Sequence, residues 1–113
     1  MKRNEIIEKL NQSVSEMTDQ LIEENIVWDT CRNSVEFSLR LVEDEILNPL
    51  DATRINLLRE LHEKFSGIIN FKPGESGVLQ DEVQQYQRYF MILALDSIKK
   101  LLIYFNQIVD SKF

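Results

Sequence analysis

Glycine and proline are scarce in this 113-residue chain, three and two in all, and the first 48 residues hold neither. Nothing in that stretch therefore forces a helix to break. Cysteine occurs once, at Cys31, so no internal disulfide can form and nothing points to an oxidising compartment. Histidine and tryptophan also occur once each, at His62 and Trp28. The longest apolar run, Tyr89 to Leu95, is seven residues and ends at Asp96. A membrane-spanning helix needs about 20. Lys2 and Arg3 are followed by Asn4 and Glu5 rather than by an apolar stretch, so no secretory signal peptide is expected and a soluble, cytoplasmic protein is.

What is present is helical. Hydrophobic residues make up 43% and charged residues 28%, ordinary globular values, and the length suits a single domain over residues 1–113. Ile7, Leu10, Val14, Met17 and Leu21 recur at alternating spacings of three and four, the signature of one apolar stripe on a helix. Asn4 is placed to cap that helix, with Glu5 and Glu8 near its start, and the helix is expected to run to about Asn25. A second set, Trp28, Cys31, Val35, Leu39, Val42 and Ile46, continues to Asn48, where Pro49 ends it. The first stripe would next fall on Glu24, so its register fails there. A break between Asn25 and Asp29 is expected, with Asp29 as a new cap or Asn33 and Glu36 as a capping box. The alternative is one uninterrupted first helix of 44 or so residues, far above the mean of about 11–12.

Asp51 caps a third helix carrying Ile55, Leu58, Leu61 or His62, Phe65, Ile68 and Ile69, and it closes before the loop Lys72-Pro73-Gly74-Glu75-Ser76-Gly77. The last helix, from Val78 to Val109, carries two stripes. One runs Val83, Tyr86, Phe90, Leu93, Ser97, Leu101, Tyr104, Ile108; the other runs Tyr89, Ile92, Ile98, Leu102, Phe105, Val109. The expected fold is all-α, an antiparallel bundle of four helices with a long C-terminal one; three helices with a very long first one is the alternative. The last helix outreaches partners of ordinary length, so part of its second face is expected to wait for another chain.

Few residues in the chain carry chemistry. Leu61-His62-Glu63-Lys64-Phe65-Ser66-Gly67 resembles the histidine segment of histidine phosphotransfer domains, which are also helical bundles, and this implies a phosphoryl-accepting His62. Lys64 and Gly67 depart from that pattern in their offsets. A carboxylate-bridged dimetal site needs Glu-x-x-His on two helices, whereas Arg59 stands three before the lone histidine. One cysteine and one histidine do not complete a zinc set either. Cys31 lies on an apolar stripe and reads as core, and the glycines of the 72–77 loop lack the Gly-Lys-Ser/Thr that would cradle phosphate. No enzyme, cofactor or metal is expected.

Charge gives the remaining direction. The net charge is −6: residues 1–25 and 26–50 each carry −3, and from residue 51 onward Lys/Arg and Asp/Glu balance at eight each. An acidic first half disfavours direct binding to nucleic acid and fits a protein partner with a basic surface. Glu43, Asp44 and Glu45 oppose the dipole at the C-terminus of the second helix, where Lys2, Arg3 or Arg54 would neutralise them if no partner does. Glu23, Glu24 and Asp29 form a second acidic end. Trp28 plugs one end of the core or anchors an interface. The expected function is non-catalytic: an inhibitor, immunity- or antitoxin-like antagonist, regulator or adaptor. Its contact residues would be Tyr86, Tyr89, Ile92, Tyr104 and Trp28, with Glu43, Asp44 and Glu45 as steering charges. The alternatives are a homodimer through the C-terminal helix, a nucleic-acid mimic that blocks a basic protein, and a phosphotransfer module.

Overall fold

Apolar stripes at helical spacing produce, among the described residues, the helices α1 (Arg3–Ile22), α2 (Trp28–Leu47), α3 (Ile55–Ile69) and α4 (Gln80–Lys112), with a 3-10 turn at Ala52–Arg54 before α3. The computed structural model describes the backbone of residues 2–71 and 80–112, and the side chains of 2–71 and 82–107. The loop read at 72–77 and the helix start read at Val78 lie outside those residues, as does Phe113. No strand occurs among the described residues, and no helix among them is long and apolar enough to cross a membrane.

Three ties fix the topology. Gln20, late in α1, bonds Val27 and Thr30 at the start of α2. Trp28 meets Phe71, just past α3, and Phe71 packs on Phe90 in the first third of α4. Tyr104, late in α4, bonds Glu45, late in α2. Each helix therefore runs against the one before it, and α2 and α4 point the same way. This is the four-helix antiparallel bundle expected of the sequence, and the break between α1 and α2 excludes the three-helix alternative.

That break falls where the stripe loses register, but its mechanism is not the capping expected. The chain leaves α1 through Glu24 in the left-handed region, at φ 56°, and the Asn25 N–H folds back to the Gln20 carbonyl at 3.0 Å. Asp29 is not the cap of α2. It lies inside the first turn, paired with Arg32 at 2.6 Å, while Val27 occupies the capping position. Asn33 and Glu36 are interior to α2 and form no capping box. The Gln20 side chain, from the preceding helix, accepts the Val27 N–H at 2.9 Å and donates to the Thr30 hydroxyl at 3.1 Å. Asn4 likewise sits in the first turn of α1, whose capping residue is Lys2; the Glu5 and Ile6 N–H groups both donate to the Lys2 carbonyl. Asp51 does cap, but it caps the 3-10 turn, accepting the Thr53 N–H at 3.1 Å and its hydroxyl at 2.6 Å.

The core is built from Leu10 and Met17 of α1, Cys31, Val35 and Val42 of α2, Leu58, Leu61, Phe65 and Ile68 of α3, and a larger set from α4. In α4 both stripes are buried in the C-terminal half, through Ile98, Leu101, Leu102, Tyr104 and Phe105. The buried Ser38 and Ser97 hydroxyls donate to the carbonyls four residues earlier, at 2.8 Å each, so neither leaves a polar group unmet. The 33 residues of α4 span about 50 Å, against about 30 Å for the 20 residues of α1 or α2. The longest dimension of the molecule, 50 Å, matches the length of α4.

Candidate functional site

The N-terminal half of α4 is where burial fails. Tyr86, Tyr89 and Ile92 are 47%, 61% and 48% exposed. They stand on a run of aromatic contacts that joins three segments of the chain. The Trp28 ring meets Phe71 edge-on at 5.7 Å; Phe71 packs on Phe90 at 4.5 Å and on Tyr86 at 6.0 Å; Phe90 meets Tyr89 edge-on at 5.3 Å. Trp28, Phe71 and Phe90 are partly buried and form the base, while the tyrosines form the rim. A groove of about 430 Å³ runs between Glu82, Gln85, Tyr86, Tyr89 and Phe90. A second, more polar groove of about 710 Å³ shares Gln85 and reaches Glu24, Asn25 and Ile26 at the α1–α2 turn, with Arg88 opposite. Trp28 thus does plug one end of the core, and through Phe71 it also supports the exposed rim.

Phe71 is the residue sequence reasoning missed. It belongs to no helical stripe, since α3 ends at Ile69, and its position just before Lys72-Pro73 was the available signal.

The acidic triad belongs to the other end of the bundle. Tyr104 is fully buried and is a core residue, not a contact for a partner. Its ring packs edge-on against buried Phe105 and its hydroxyl reaches Glu45 of α2. Tyr89 and Tyr104 are 15 residues apart in one helix, about 22 Å along its axis. The anchors and the proposed steering charges therefore do not form one surface. Glu45 is a structural group as well: its Oε2 accepts the Tyr104 hydroxyl at 2.8 Å and the Leu50 N–H at 3.2 Å, which ties the end of α2 to α4 and to the following turn. Desolvation, then the bond to Glu45, pushes the Tyr104 hydroxyl well above the ordinary tyrosine pKa. Glu43 faces His62 Nε2 at 3.9 Å, and Asp44 is exposed. Arg54 pairs with Asp51 at 3.6 Å rather than with the triad.

His62 lies half-exposed on α3, in a cleft of about 380 Å³ with Glu43, Ile46, Leu47 and Arg59. Cys31 is fully buried, and burial pushes its thiol up to about 12 from an ordinary 9.0, so it is neutral and unreactive near pH 7. Among the described residues no three His, Cys, Asp or Glu side chains gather to hold a metal ion. Compared with known proteins, no family model, no curated protein and no solved structure matches this chain.

Proposed function

We propose that this chain is a non-catalytic protein-binding module, acting as an inhibitor, antagonist, regulator or adaptor, and that it docks its partner on the N-terminal half of α4. The observation that supports this reading is the pair of exposed tyrosines, Tyr86 and Tyr89, held on a partly buried aromatic base. Such rings present a large apolar area and lose little rotamer freedom on binding, and so dominate interface hot spots. Their surroundings give the partner its chemistry. Glu82 lines the groove beside the tyrosines, and Glu24 lines the adjoining one with Arg88 opposite, so the partner is a protein surface that receives aromatic rings and sets basic residues on Glu82 and Glu24 and an acidic one on Arg88.

The test is capture of the partner by full-length protein, followed by titration with variants. Replacing Tyr86 and Tyr89 together with Asp should weaken binding at least roughly 30-fold, the scale of losing a hot spot of about 2 kcal/mol. The helical content should stay unchanged. Glu43→Lys with Asp44→Lys, at the far end, should bind as the parent does. Equal loss in both pairs, or loss in the second alone, removes the reading.

A further inference from the structure

One exposed face of α4 repeats with a regularity that runs from the aromatic end well past it. Gln85, Tyr89, Ile92, Asp96, Lys99, Ile103 and Asn106 follow one another at spacings of four, three, four, three, four and three, and all seven are exposed. Ile92 is 48% and Ile103 52% exposed. An alternation of four and three is the seam of a two-helix coiled coil, in which successive positions fall at a and d. With Tyr89, Asp96 and Ile103 at a, and Ile92, Lys99 and Asn106 at d, the seam faces away from the three helices that bury Met91, Ala94, Ile98 and Leu101.

We infer that this seam pairs with a second copy of the same chain, antiparallel, about a two-fold axis that crosses it midway between Asp96 and Lys99. Antiparallel seams stack a against d. In this register Ile92 meets Ile103 of the second copy and Ile103 meets its Ile92, while Asp96 meets the second copy's Lys99 and Lys99 its Asp96. Tyr89 and Asn106 close each end. The charges select this arrangement over the others. A parallel pair sets Asp96 on Asp96 and Lys99 on Lys99. Sliding by seven residues one way puts Ile92 on Asp96 and Tyr89 on Lys99; sliding the other way puts Ile103 on Lys99 and Asp96 on Asn106. Only the two-fold register matches apolar with apolar and acid with base in its four central layers, as an isologous interface requires. Asp96 already contacts Lys100 within its own helix at 3.5 Å, in the open, and the second copy's Lys99 adds to that pair. The charged layers fix register more than they add stability.

The seam shares Tyr89 and Ile92 with the foreign-partner face, so a second copy and a foreign partner compete there; Tyr86 lies off the seam, and Trp28, Phe71 and Phe90 lie behind it.

The experiment is sedimentation equilibrium on the full chain, with charge exchange across the axis. With only two isoleucine layers, dissociation constants of roughly tens to hundreds of micromolar are expected. The wild-type mass should rise from 13.4 kDa toward twice that value as concentration rises through this range. Asp96→Lys places four lysines at the axis and Lys99→Asp four aspartates, so each variant alone should stay monomeric with an unchanged circular dichroism spectrum. Mixed in equal amounts they should dimerise again, since each lysine then faces an aspartate. A wild type that stays monomeric throughout overturns the inference, and so does a mixture no heavier than its components. Tyr86→Asp tells the two readings apart: it should lose the foreign partner and keep self-association.

Discussion

Tyr104 ties the late part of α4 to the end of α2. Its hydroxyl reaches Glu45, and the same carboxylate oxygen takes the Leu50 N–H, so one charged group joins α2, α4 and the turn toward α3. Tyr104→Phe should lower unfolding free energy in urea by roughly 1.5–3 kcal/mol, the usual scale of a bond to a charged group, without altering helical content. A loss under about 0.5 kcal/mol would mean that water replaces the bond. Cys31 makes a second residue-scale prediction. Its folded pKa, about 12, lies above the 9.0 of an exposed thiol, so the folded chain holds its proton where the unfolded chain gives it up. Stability from this group is complete below about pH 9 and declines as pH rises from there toward 12. The melting temperature should therefore fall over that interval more steeply for the parent than for Cys31→Ala; parallel curves would contradict the burial argument. Cys31 was legible as core from its place on a stripe. Tyr104 was not, because a helix with two apolar stripes does not itself declare which half its neighbours cover.

Among the elements, the passage from α1 to α2 shows what periodicity conveys and what it omits. Loss of register at Glu24 located the break correctly, since an apolar stripe cannot continue through a charged residue and still face the core. The caps were misread because the group serving Val27 and Thr30 comes from Gln20, a full turn and loop upstream, and no rule of local spacing points to it. The turn also carries a strained residue. Glu24 at φ 56° holds a backbone conformation that costs an L-residue roughly 1–2 kcal/mol, partly offset in a glycine variant by the greater freedom of its unfolded chain. Glu24→Gly should accordingly stabilise the protein by roughly 0.5–1 kcal/mol in thermal or urea unfolding. Destabilisation would show that the Glu24 side chain contributes more than its backbone costs.

At the scale of the molecule, the bundle and its long last helix were readable because stripe lengths translate directly into helix lengths. The arrangement of the site was readable only in part. Tyr86, Tyr89 and Ile92 do remain exposed, but their grouping with Trp28 runs through Phe71, and their separation from Glu43, Asp44 and Glu45 follows from helix order. A linear chain shows acidic and aromatic groups as a list; the bundle sends them to opposite ends. Acidity near the aromatic end comes instead from Glu24 and Glu82. Ile103 is exposed without a place in the aromatic end, and only the proposed self-pairing gives it a complement, Ile92 on the same strip of the same helix.

The claim at the centre is that the N-terminal face of α4 receives a foreign protein, and site-specific photocrosslinking tests it most directly. A benzophenone amino acid would be placed at position 89, and separately at position 47, where Leu47 is exposed at the opposite end of the bundle. Irradiated with an excess of the partner, and with the chain well below the concentration at which it self-pairs, the probe at 89 should give one discrete heterologous adduct, mapped to a peptide rich in lysine or arginine, while the probe at 47 gives none. An adduct of equal yield at 47, or none at 89 with a partner that still binds, would contradict the assignment.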